Sequence, residues 1–152
     1  MTRTRPFGVT LLALVQTISG LQFLLLAIAS RADTTELQDA LSENAWITEN
    51  VDGVLFWSRI LYVVLGLLAF ALAYGYLNGS EWAGRRGTSV ATFAIVVAFV
   101  TMMLVAVPAN LSSPMWLFTV WTLVATCTIV FNIVVIIFLS RSTIKAYFKS
   151  AR

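Results

Sequence analysis

The chain contains no histidine, so the commonest general base, metal ligand and near-neutral pH switch is missing from it. Its single cysteine, Cys127, excludes an intrachain disulfide and a cysteine metal cluster; in the middle of an apolar run it reads as a small buried filler. Charge is scarce as well. Only 11% of residues are Asp, Glu, Lys or Arg against 59% apolar, a balance too greasy for a soluble domain. No Asp or Glu falls inside a long apolar run, which removes the intramembrane carboxylate on which proton- or sodium-coupled transport usually depends. The chemistry left to an enzyme is that of Ser, Tyr, Lys or solvent-side carboxylates. The sequence therefore assigns no catalytic residue, no metal site and no cofactor, and the expectation is a protein that is not an enzyme.

What is present is a set of four apolar runs, residues 7–29, 54–77, 88–107 and 115–139. Each holds roughly 20–25 residues, and at about 1.5 Å rise per residue a helix of that length crosses a ~30 Å hydrocarbon core. Arg3, Arg5, Arg85, Arg86, Arg141, Lys145, Lys149 and Arg152 lie before run 1, between runs 2 and 3, or after run 4. Asp33, Glu36, Asp39, Glu43, Glu49 and Asp52 all lie between runs 1 and 2. Lys and Arg flanking a span stay in the cytoplasm. The expected fold is thus an all-α integral-membrane four-helix bundle, up-down-up-down, forming one domain over residues 1–152 of a multi-pass protein of the cell membrane. Both termini are expected in the cytoplasm, with an extracytoplasmic loop at 30–53 and a basic cytoplasmic tail at 140–152. These topogenic residues account for the net charge of +3, so nucleic acid is not an expected partner. The N-terminus has the pattern of a signal peptide, Arg3 and Arg5 before an apolar stretch ending Ala27-Ile28-Ala29. That stretch is longer than the roughly 7–15 residues of a cleaved signal core, so a retained signal-anchor helix is expected.

Local signals mark the ends of the runs. Pro6 suits a helix start, where a missing N–H is harmless, and Pro114 after Ser112-Ser113 does the same for run 4. Asn78-Gly79 is a helix stop, with Gly79 a natural left-handed cap. Within the acidic loop, Asp33 with Glu36 signals a short amphipathic helix, Leu37 and Leu41 on one face and Glu36, Asp39 and Glu43 on the other. A helical stripe of this kind does not converge the six to eight oxygens of a calcium site and reads as a solvated face. In the tail, Ile144, Tyr147, Phe148 and Ala151 recur at helical spacing, so the segment either prolongs the fourth helix or lies on the cytoplasmic leaflet. Trp46 and Trp57 are expected at the outer lipid interface; Trp82, Tyr74 and Tyr76, with Lys145, Tyr147 and Lys149 of the tail, are expected at the inner one.

Polar residues inside spans are the natural place to look for function. The candidates are Gln16 and Ser19 in run 1, Arg59 in run 2, and Thr122, Thr126 and Asn132 in run 4; Thr119 shares a stripe with Thr122 and Thr126, and Thr128 one with Asn132. Gln16 and Asn132 are expected to bond other spans and fix helix register, each bond being worth ~0.6–2 kcal/mol. Arg59, shallow in run 2, is placed to snorkel or to pair with the acidic loop. Small residues mark faces for close helix approach: Ala13, Gly20 and Ala27 in run 1, Ala69, Ala73 and Gly75 in run 2, Ala94 and Ala98 in run 3.

Three stretches carry a resemblance: Arg5-Pro6-Phe7-Gly8-Val9-Thr10, Tyr74-Gly75-Tyr76-Leu77-Asn78-Gly79-Ser80-Glu81-Trp82-Ala83, and residues 132–148 ending Ser140-Arg141-Ser142-Thr143-Ile144-Lys145-Ala146-Tyr147-Phe148. In these the chain resembles small four-span membrane proteins of archaea and some bacteria. The resemblance implies the architecture and no mechanism. The leading functional expectation is a non-catalytic integral-membrane subunit or interaction protein, within a homo-oligomer or a larger membrane complex, with the lipid bilayer as its constant partner. The alternative is a small oligomeric channel or facilitator with a polar path near Gln16 and Asn132. An intramembrane enzyme is third.

Overall fold

The computed structural model describes residues 6–29, 45–106 and 116–149. The described chain is all-α: α1 Phe7–Ala29, α2 Ala45–Leu77, α3 Glu81–Thr101 running on into a π-helical turn Met102–Ala106, α4 Trp116–Ser140 and α5 Ser142–Lys149. Four of these helices are long and apolar enough to cross a membrane, over Phe7–Ile28, Asp52–Leu77, Glu81–Leu104 and Thr119–Ser140. The amphipathic segment expected around Leu37 and Leu41, with its acidic face, lies outside the described residues, as does Pro114.

Two helix starts differ from the sequence reading, for one physical reason. Helix α2 begins at Ala45, so residues 45–53, read as loop, are helical. Gly53 lies inside this extension, where a glycine costs only about 1 kcal/mol, and extending a helix already nucleated by an apolar run is cheap. Its surroundings are open, since a Cβ there would meet nothing within 4 Å. Helix α3 begins at Glu81 rather than near Thr88, because Gly84 and Gly87 serve packing and not chain reversal. A Cβ at Gly84 would lie 2.7 Å from the Phe148 ring, and one at Gly87 would collide with the Tyr76 hydroxyl and sit 2.8 Å from Leu139.

The α2–α3 turn is built as the Asn-Gly signal foretells. Gly79 has φ +67°, the Ser80 N–H donates to the Gly75 carbonyl at 2.8 Å, and the Gly79 N–H donates to the Tyr76 carbonyl at 3.1 Å. This is a Schellman closure, which satisfies two of the carbonyls a helix end leaves open. Ser80 then serves as the extended residue ahead of α3.

Each long helix packs on two others: α1 on α2 and α4, and α3 on α2 and α4. Their contacts form two apolar clusters. One joins Phe23, Leu26 and Ala27 of α1 to Leu55, Tyr62 and Leu65 of α2, Val97 of α3 and Trp121 of α4. The other, at the end carrying the α2–α3 turn, joins Val9, Leu12 and Ala13 to Leu72 and Tyr76, Ala83 and Ala91, and Val135 and Leu139. Ala13, Gly20, Ala27, Ala69, Ala73, Gly75, Ala94 and Ala98 are all buried inside the chain. At the α1–α2 crossing the backbones nearly touch: a Cβ at Gly20 would sit 3.2 Å from the Gly66 carbonyl oxygen, and one at Gly66 would sit 3.2 Å from that of Gly20.

The tail corrects the sequence reading. Arg141 breaks α4 from α5, and the apolar face of α5 turns into the protein and not onto lipid. Ile144 reaches Gly8, Tyr147 covers Gly79 and Phe148 covers Gly84. Three glycines on three elements of the turn end thus form the notches that receive the tail.

Candidate functional site

The interior changes character between the two apolar clusters. On α1 the interval between Ala13 and Phe23 carries Gln16 and Ser19; on α4 the interval between Ala125 and Val135 carries Thr128 and Asn132. All four are at most 1% exposed. The helices bring them to one level because α1 and α4 pair in opposite directions: Phe23 and Leu26 share a cluster with Trp121 and Ala125, and Val9 and Leu12 share one with Val135 and Leu139. A polar layer therefore crosses the middle of the chain, closed by apolar side chains above and below.

The bonding in this layer differs from the expected one. The Asn132 side-chain amide donates to the Thr128 carbonyl of its own helix at 2.8 Å, and does not bridge to another span through that group. Its Oδ1, together with Gln16 Oε1 and Ser19 Oγ, accepts no hydrogen bond among the described residues. The bridge between α1 and α4 comes instead from Gln22, whose Oε1 accepts from the Thr128 hydroxyl at 3.4 Å. That hydroxyl's single proton is shared with the Val124 carbonyl, the nearer acceptor at 2.8 Å. A buried acceptor without a donor costs about 1–3 kcal/mol, so the layer is the least well satisfied part of the interior. Its groups are amides and hydroxyls, which exchange hydrogen bonds but do not carry charge or move a proton near neutral pH.

A second polar contact lies in the opposite half. The Tyr62 hydroxyl of α2 and the Thr101 hydroxyl of α3 share a hydrogen bond, while Thr101 donates to the Val97 carbonyl at 2.8 Å. Tyr62 stacks on Phe23, centroids 6.1 Å apart, and packs in one cluster with Trp121. This contact sits where α3 passes into its π-helical turn, a local widening often associated with functional positions. Neither Tyr62, Thr101 nor Gln22 was singled out in the sequence. A tyrosine in a span reads as interface or core, and only its pairing with a threonine 39 residues away marks it as a helix tie.

The remaining candidates are scattered. Thr122 is half-buried and Thr126 exposed; Thr126 donates to the Thr122 carbonyl at 2.8 Å and reaches the Met102 sulfur at 3.7 Å. Thr119 also faces outward. Arg59 is half-buried on α2, and the carboxylates of residues 33–43 lie outside the described residues. Trp57 and Trp82 are exposed, as are Lys145 and Lys149; the side chain of Trp46 is outside the described set. Tyr147 and Tyr76, expected at the lipid interface, are buried against Phe148 in the core of the turn end, because the glycine notches leave room for their rings. Among the described residues no three His, Cys, Asp or Glu gather as a metal site would require.

No family model, curated protein or solved structure matches this chain.

Proposed function

We propose that this chain is a non-catalytic integral-membrane component, an up-down-up-down bundle with both termini cytoplasmic, that works by associating with copies of itself or with other membrane proteins. The observation that carries the reading is the separation of its polar groups. Gln16, Ser19, Thr128 and Asn132 are enclosed within one chain, whereas Thr119 and Thr126 face outward from α4. A path lined by all of them would need one shared surface, and among the described residues the enclosed and the exposed groups do not share one. Apolar clusters close the enclosed layer on both sides, which argues against the channel alternative. The outward faces are apolar: Val63, Val64 and Leu67 on α2, Phe93, Val96 and Phe99 on α3, and Leu123, Val130 and Ile137 on α4. Threonines on such a face are the residue type that lets a neighbouring helix approach and bond. The basic-inside bias supports the orientation.

Purification from the native membrane in a gentle detergent, with mass measurement of the intact particle and identification of its components, tests the reading. A particle larger than one chain, with fixed stoichiometry and no solute flux in vesicles, is expected. A lone monomer, or a particle that passes ions or small solutes, would overturn it.

A further inference from the structure

We propose that the cleft between α3 and α5 binds the phosphate-bearing headgroup of an anionic phospholipid, held by Arg85, Lys145 and Lys149. The locked tail is the first support. With Ile144, Tyr147 and Phe148 seated on Gly8, Gly79 and Gly84, α5 has a single rotational setting, and its exposed side carries Lys145 and Lys149 toward α3. A cavity of about 260 Å³ opens between the two helices, rimmed by Arg85, Lys145 and Lys149 and floored by Leu139 and Phe148. Glu81 also lines it and pairs with Arg85 at 3.3 Å. A neighbouring cavity of about 370 Å³ continues past Arg85 to Arg86, Trp82 and Ser89. Four cations therefore face one carboxylate along the two cavities.

The shape selects the ligand class. A free phosphate would use the basic rim alone. A phospholipid uses the rim and the floor together, its phosphate on the cations and its glycerol and upper acyl chain on Leu139 and Phe148. The cleft also lies where the apolar helices end, the depth at which headgroups sit, and the half-exposed Trp82 beside it is a residue type favoured at that depth. The cleft requires only that the four helices lie in a bilayer, and it does not depend on whether the chain is a subunit.

The full chain in a neutral detergent, titrated with phosphatidylglycerol or phosphatidylcholine and read by native mass spectrometry, tests the proposal. One phosphatidylglycerol per chain should bind about tenfold or more tighter than phosphatidylcholine. A charge-assisted hydrogen bond to the phosphate is worth roughly tenfold, so Lys145→Gln with Lys149→Gln, which removes two, should weaken phosphatidylglycerol about 100-fold. Both lysines are exposed, so the variant should melt with the parent. Arg141→Gln removes a charge at the same end but outside both cavities, with its guanidinium 4.9 Å above the Phe138 ring, and should change binding less than about twofold. Equal binding of the two lipids would overturn the proposal. So would equal losses in the two variants, which would mean diffuse surface attraction. Displacement of phosphatidylglycerol by millimolar inorganic phosphate would also overturn it, as the cleft would then be a free-anion site.

Discussion

Replacing Gly20 with leucine presses on the α1–α2 crossing, where the structure lets the size of the effect be worked out. A Cβ at position 20 would sit 3.2 Å from the Gly66 carbonyl oxygen and 3.2 Å from the Phe70 ring. The ring can give, but a helix carbonyl moves only with its helix. Alanine alone therefore forces a shift of a few tenths of an ångström, offset by the ~1 kcal/mol that alanine gains over glycine in a helix. Gly20→Ala should melt within roughly 3 °C of the parent. Leucine adds branches where Phe70 already stands, an overpacking cost of about 1–3 kcal/mol. At about 2–4 °C per kcal/mol for a chain of this size, Tm should fall by roughly 2–12 °C. Leu25→Ala, at a position 55% exposed on another face, is the control and should shift Tm far less. Thermal melting of the purified variants in one detergent is the assay. Gly20→Leu melting like the parent, or Leu25→Ala falling further, would refute the close-crossing argument.

The buried polar residues should divide into ties and passengers. Tyr62→Phe breaks a bond between α2 and α3 and should destabilise by about 0.6–1.7 kcal/mol, whereas Asn132→Leu loses only a bond within its own helix and should be neutral or stabilising in the same melting assay. The tail should be releasable alone. Gly84→Val fills the notch that receives Phe148, so trypsin should cut at Lys145 and Lys149 several-fold faster while the long helices melt cooperatively, as local opening allows. Equal digestion of variant and parent would show that the notch does not hold the tail.

The parts of this fold that were legible in the sequence were those set by run length and by turn chemistry. Twenty-odd apolar residues admit little besides a helix, and Asn78-Gly79 foretold a left-handed cap that Gly79 adopts. Other glycines carried no such signal, because glycine at a turn and glycine at a contact look alike along a chain. Gly84 and Gly87 lie inside α3, and their role depends on Phe148 and Tyr76, which arrive from distant segments. The tail was misplaced for the same reason: an apolar stripe must be buried, but its spacing does not say whether lipid or protein buries it. The polar residues show the limit most clearly. Gln16 and Asn132 were legible as buried and costly, yet the cross-helix bonds belong to Gln22 with Thr128 and Tyr62 with Thr101. Which polar side chain finds a partner depends on the register between helices, which a single run does not contain.

The proposed topology, four membrane crossings with the basic end in the cytoplasm, is tested most directly by thiol labelling. In a Cys127→Ala background, single thiols introduced by Asp39→Cys and Asn78→Cys are exposed to a membrane-impermeant maleimide on intact cells. Position 39 should be labelled at once and position 78 only after lysis, since Asn78 lies in the α2–α3 turn, a few residues before Arg85 and Arg86. Labelling of position 78 from outside, with position 39 protected, would invert the topology and contradict the account. Equal labelling of both before lysis would contradict the placement of α2, the helix between the two positions, across a membrane.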